Sequence, residues 1–234
     1  MKIRGFVDYR IDAVVKFGGS LLNDAGKCVS AVNALVAARD GGARVLVIPG
    51  GGPTDKTIEA LDARHPYAPD THHRACARAQ DQTGLMISDP VFSDALRACE
   101  TLEEVRAALD EGKVAVLLPS RLIFDLDPFE RTWEITSDAM AAWFAWLVHA
   151  RQLVILTNVA GVYADGKIDS PEALIREISA TDLIELGHTA VDACTAPFLA
   201  AMRIDCWVLD GDKPERLVEA LAGKTPTGTF IKGA

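Results

Sequence analysis

A lysine that closes an apolar run and is followed by two glycines, Val14-Val15-Lys16-Phe17-Gly18-Gly19-Ser20, has the makings of an anion site. A second run, Val45-Leu46-Val47-Ile48-Pro49-Gly50-Gly51-Gly52, ends in three glycines. Glycine lets the backbone bend sharply and approach a ligand with no Cβ in the way. The N–H groups that then point outward ahead of a helix attract phosphate. Lys16 adds a mobile positive charge. Two such turns suggest two neighbouring phosphate cradles, and hence movement of a phosphoryl group between them. For either turn alone, a strand–helix bend that holds no ligand is the plain alternative.

The segment Trp133-Glu134-Ile135-Thr136-Ser137-Asp138 opens a helix whose apolar face is Met140, Trp143, Phe144, Leu147 and Val148. Thr136 or Ser137 can cap it, which puts Asp138 in the first turn. There Asp138 either stabilises the helix dipole and nothing more, or pairs with Lys16 and aims the ammonium at a transferring group. Further on, Leu156-Thr157-Asn158-Val159-Ala160-Gly161-Val162-Tyr163 runs from a strand into a polar glycine bend usable as an adenine and ribose wall. Lys167 follows within reach of phosphate, although an ordinary strand exit reads the same way. His72-His73-Arg74 begins a helix carrying Arg78 and Asp81. Arg74 and Arg78 share a face, so they form either an anion clamp for an acceptor or a solvated basic surface. Adjacent histidines diverge by about 100° on a helix and no third ligand is spaced to join them, so no metal site is expected. There is no G-x-S-x-G elbow for a hydrolase, and neither glycine turn reads G-x-G-x-x-G with an acid about 20 positions on, as a dinucleotide enzyme would need.

Short runs rich in Val, Ile and Leu at 14–17, 45–48, 114–118, 153–156 and 206–209 have the continuous apolar character of strands covered on both faces. Between them lie amphipathic segments at 27–39, 54–64, 74–86, 102–109, 137–149, 191–202 and 214–222, with a closing strand at 228–231. This alternation predicts an α/β protein: a three-layer αβα sandwich around a mainly parallel sheet, with ligands at the carboxyl ends of the strands. The stretches 65–71 and 125–131 read as loops over the site. The 234 residues, 49% apolar, suffice for one domain, divided into lobes of about 1–150 and 151–234. A net charge of −9 argues against nucleic-acid or acidic-membrane partners and for a small anionic ligand held by local positive nests. Five cysteines without a CxxC pair suggest reduced thiols in a cytoplasmic protein, and no apolar run reaches the roughly 18 residues of a membrane span.

Taken in order, Lys16-Phe17-Gly18-Gly19-Ser20, Pro49-Gly50-Gly51-Gly52, Ile135-Thr136-Ser137-Asp138 and Leu156 to Tyr163 resemble the amino acid kinase superfamily across nearly the whole chain. Within it, Leu117-Leu118-Pro119-Ser120-Arg121, Thr132 to Asp138, the His73-Arg74 helix, Ala190-Val191-Asp192 and Pro214-Glu215-Arg216 most resemble the archaeal-type kinases of methanofuran biosynthesis. Those convert [5-(aminomethyl)furan-3-yl]methyl phosphate to the diphosphate. The resemblance implies an ATP- and Mg²⁺-dependent kinase of a small phosphorylated acceptor, assembled as a homo-oligomer. It makes Lys16 the charge stabiliser and Asp138 its organiser. Gly18, Gly19 and Ser20 fall to the nucleotide phosphates, with Thr157, Asn158, Gly161, Tyr163 and Lys167 around the nucleotide. Gly50, Gly51, Gly52, His73, Arg74 and Ser137 fall to the acceptor. Asn158 stands where the superfamily usually has Asp, and a second lysine before the last strands has no counterpart; Arg203, Lys167 and Lys213 are open as its replacement. Uridylate- or acetylglutamate-type kinases share these motifs. So do non-catalytic relatives such as molybdenum storage proteins, although retention of Lys16 and Asp138 speaks against that reading.

Overall fold

The structure is a computed structural model that describes residues 9–164, 170–187 and 190–233. Its centre is an eight-stranded sheet in the order β3-β4-β2-β1-β5-β7-β8-β6. The strands are β1 (Ala13–Phe17), β2 (Val45–Pro49), β3 (Leu96–Cys99), β4 (Val114–Leu117), β5 (Leu153–Thr157), β6 (Glu177–Ser179), β7 (Cys206–Asp210) and β8 (Thr229–Lys232). Every pairing is parallel except β7 with β8. The predicted three-layer αβα sandwich is therefore present.

Side chains alternate across each strand, so one sequence run feeds two cores. Val14, Leu46, Ile48, Leu117, Leu153, Ile155, Cys206 and Val208 pack on one side of the sheet. Over them lie α3 (Pro69–Ile87), α4 (Leu102–Asp110), α5 (Ser120–Leu126), α6 (Ser137–Leu147), α7 (Ala180–Leu186) and α8 (Thr195–Met202). Ala13, Val15, Phe17, Val45, Val47, Val154, Leu156 and Leu209 face the other side, against α1 (Ala25–Asp40) and α9 (Glu215–Leu221). Burial on both faces is why the strands read as unbroken apolar runs. From β1 the chain adds β2 beside it, crosses to the edge as β3, returns to fill the gap with β4, and then restarts on the other side of β1 with β5. This places a topological switch at the carboxyl end of β1, where open parallel sheets bind ligands.

Some boundaries differ from the expected ones for local reasons. The second glycine turn runs straight into α2 (Gly52–Arg64). Pro69 occupies the first turn of α3, where its fixed φ and missing N–H are tolerated, so the loop expected over 65–71 shortens to 65–68. The helix expected over 191–202 begins only at Thr195. Short α5 has no periodicity of its own; Asp81 of α3 holds it, accepting from the Ser120 N–H at 3.0 Å and from the Ser120 hydroxyl. All five cysteines are free thiols. Among the described residues no helix is long and apolar enough to cross a membrane.

The loop after β5 is pinned by a buried hydroxyl. Thr229 Oγ1 accepts from Val162 N at 2.8 Å and donates to the Ile175 carbonyl at 2.6 Å. A Cβ on Gly161 would stand 2.3 Å from that oxygen. Thr229→Val keeps the shape and orphans both partners, so urea unfolding should show a loss of about 1–3 kcal/mol, whereas Thr229→Ser stays close to wild type.

Candidate active site

Lys16 lies in the middle of the sheet, in register with Ile48 of β2 and Ile155 of β5. It shares the sheet face of Val14 and points beneath the first turn of α6. There its ammonium sits 2.8 Å from Asp138 Oδ1, with the two side chains only 12% and 10% exposed. A buried lysine has to be paired, and the fold supplies the partner by starting a helix above it. Thr136 caps that helix, accepting from the Asp138 N–H at 3.3 Å. The contact meets the distance of an ion pair without the angles of a hydrogen bond.

The two glycine turns touch. Gly50 N–H donates to the Phe17 carbonyl at 2.9 Å. A Cβ on Gly19 would lie 2.3 Å from Gly52 N, and one on Gly50 would lie 2.9 Å from Gly19 N. Only glycine allows backbone to meet backbone so closely, and Gly52 also has φ +61°, where side chains are strained. Ser137 Oγ is 3.3 Å from the same Gly50 Cβ position, which joins the cradles to the start of α6 and so to the Lys16–Asp138 pair. Gly18 packs on the Leu156 carbonyl at the end of β5. Ser20 is exposed in the short turn of helix over Gly19–Asn23.

Beside the second cradle is a pocket lined by Gly51, Asp55, His72, His73, Cys76, Gln80, Thr132, Trp133, Ile135, Thr136, Ser137 and Met140. His72 and Trp133 stack with ring centroids 4.5 Å apart and planes 12° from parallel. Burial, with the nearby positive charge of Arg131, holds His73 below its ordinary pKa of 6.5, which favours the neutral imidazole at pH 7. Arg74 stands outside this lining. Its Nε pairs with Asp70 at 2.9 Å and its guanidinium lies over the Phe124 ring, as does that of Arg78.

On the other side of Lys16, the ends of β5 and β7 meet the first turn. The Thr157 carbonyl accepts from Gly211 N at 2.6 Å, and Gly211 packs on Leu21. Asn158 is exposed there, while Tyr163 bridges to Leu174 and Gly161 packs on Thr229. Lys167 lies outside the described residues. Arg216 of α9 stands 3.9 Å from Asp210, with a buried Nη1 that has no hydrogen-bond partner. Arg203, one of the three cations that the sequence leaves open as a second lysine, ends α8 in a left-handed conformation; spacing does not single out Arg216.

The profile of the amino acid kinase family matches residues 13–210. The chain belongs to the amino acid kinase family. A Methanocaldococcus jannaschii protein named [5-(aminomethyl)furan-3-yl]methyl phosphate kinase is 29% identical over 94% of this chain and 97% of its own length. A Natronomonas pharaonis uridylate kinase is 27% identical over 93% and 97%. The solved uridylate kinase of Archaeoglobus fulgidus superposes with a TM-score of 0.74 over 94% of this chain and 100% of that one, at 20% identity, a likeness of fold. This member is an ATP-dependent phosphotransferase.

The kinase carries one further acid at its centre that spacing alone did not single out. Burial, and then the negative charge of Asp138, raise the Asp192 carboxyl from the ordinary 3.8 to about 7, against the pull of Lys16 and Lys56. Between those values the native state keeps a proton that the unfolded chain has released, so stability falls as pH rises through this window. Asp192→Asn removes that penalty. Its melting temperature relative to wild type should climb from pH 4 to about pH 7 and level off above; a difference that does not vary with pH would show Asp192 ionising normally.

Proposed function

We propose that this kinase moves the γ-phosphoryl group of ATP onto the phosphate of a small phosphomonoester, with [5-(aminomethyl)furan-3-yl]methyl phosphate as the acceptor and its diphosphate as the product. The observation that carries the reading is the meeting of two glycine cradles against a buried lysine–aspartate pair, with a closed-in acceptor pocket on one side. The M. jannaschii relative supports the choice of acceptor.

A phosphomonoester loses its second proton at a pKa of about 6, so the attacking oxygen is already ionised at neutral pH and no general base is needed. That oxygen forms a bond to the γ-phosphorus while the bond to the bridging oxygen breaks, and ADP leaves with the electron pair. Lys16 offsets the charge that spreads over the equatorial oxygens, and Asp138 keeps its ammonium from swinging away. The N–H groups of Gly18 and Gly19 hold the donor phosphates and those of Gly50 to Gly52 the acceptor phosphate, with Ser137 beside them. Thr157, Asn158, Gly161 and Tyr163 line the nucleotide side in this reading, and Arg216 is the cation best buried there. Magnesium, when bound with the nucleotide, neutralises phosphate charge. It would be held mostly by phosphate oxygens and water, with few direct protein ligands.

Lys16→Ala should lower kcat/KM by at least ~100-fold, the scale of one lost electrostatic stabiliser, with circular dichroism unchanged. The acceptor is checked by coupled ADP release with the furan phosphate, UMP and acetylglutamate. Turnover of UMP or acetylglutamate without turnover of the furan would replace the acceptor, and nucleotide binding with no ADP from any of them would favour a non-catalytic relative.

A further inference from the structure

The acceptor pocket has a charge character of its own. Its only charged lining residue is Asp55, and among the described residues no lysine or arginine reaches it. The nearest arginines are tied down elsewhere. Arg74 and Arg131 each bind Asp70 at 2.9 Å, and Arg131 also binds Asp127 at 3.0 Å. The lining therefore holds no permanently positive side chain for a carboxylate on the far end of an acceptor, and burial disfavours the charged form of His73.

A buried polar group in the pocket lacks a partner. Gln80 is 3% exposed, and its Nε2 is spent on Met140 Sδ at 3.2 Å, while its Oε1 is buried with no hydrogen bond. An orphaned buried carbonyl costs free energy unless a donor arrives with the ligand. Asp55, in the first turn of α2, has its carboxylate hydrogen-bonded by the Cys76 thiol, which burial and this bond keep protonated. Two acceptors therefore line one pocket beside the flat wall made by His72 and Trp133. Trp133 is itself held in place, since its Nε1 donates to Asp62 at 3.1 Å.

We propose that Asp55 and Gln80 form an ammonium-recognition site, selecting a phosphomonoester that carries a cationic aminomethyl group on a flat ring packed against Trp133 and His72. The proposal rests on the acceptor reading given under the preceding heading and adds its specificity determinants. A cation between a carboxylate, an amide oxygen and an aromatic face is held by charge-assisted hydrogen bonds and by the ring quadrupole. The same lining repels the carboxylates of an acetylglutamate-type acceptor.

The test compares [5-(aminomethyl)furan-3-yl]methyl phosphate with its neutral hydroxymethyl counterpart, and 3-(aminomethyl)benzyl phosphate with 3-(hydroxymethyl)benzyl phosphate. Wild type should show a KM for each amine at least ~10-fold below that for the matching alcohol, and Asp55→Asn should bring the ratio to about one, the scale of a lost charge-assisted hydrogen bond. Gln80→Met should reduce the ratio in the same direction. It serves as the second variant should Asp55→Asn fold poorly. A merely structural role for Asp55 would lower the melting temperature and leave the ratio intact, and that result overturns the inference. If the furan amine is turned over and neither variant changes the discrimination, the inference falls and the furan reading stands. If neither furan is turned over while the benzyl pair is still separated through Asp55, the furan reading falls and the ammonium site stands. If the wild type separates neither pair, the inference is overturned.

Discussion

A charged pair set inside a sheet governs this molecule. Lys16 occupies a central strand between β2 and β5, where its position would otherwise be filled by an aliphatic side chain, and Asp138 comes to it from a different layer. Removing either partner would leave an uncompensated charge in low dielectric, which costs far more than the pair itself contributes. The constraint therefore fixes where α6 must begin, which residue must cap it, and how closely the Ile135–Asp138 segment approaches the second glycine turn. The catalytic arrangement and the packing of the upper sheet are thus one structural problem with one solution.

The contact between the turns follows from the same economy of space. Two parallel neighbouring strands, β1 and β2, are each followed directly by glycine, so their exits can meet backbone to backbone. A methyl group on Gly19 would fall on Gly52 N and push the cradles apart by most of a bond length. In the proposed reading, donor and acceptor phosphates would approach in line across this contact, at a separation that glycine alone permits.

Much of this was readable from residue order because the relevant features are local. Continuous apolar runs mark strands covered on both faces, and glycines directly after a strand mark the sharp turns that meet beside Lys16. The Lys16–Asp138 pairing was one of two readings of a first-turn acid, and only coordinates separate them. Features that residue order does not reveal depend on distant neighbours. Asp192 becomes unusual because Asp138 and burial surround it, and Gln80 because Met140 occupies one end of its amide. Spacing leaves Arg74 and Arg78 as either an anion clamp or a solvated basic face, and only the coordinates show Arg74 paired with Asp70 and lying over Phe124 of another helix. Asp55 left one usable trace, a position three residues past the last glycine of the cradle, inside the same helical turn.

That last placement has a mechanical meaning. Gly52 and Asp55 ride on a single rigid turn, about 4.5 Å apart along the helix axis. No loop lies between them to stretch or fold. In the proposed reading the turn works as a gauge block: it would measure the span from the phosphorus end of a guest to its opposite tip, and a molecule one methylene too long would be held out of register at one end or the other.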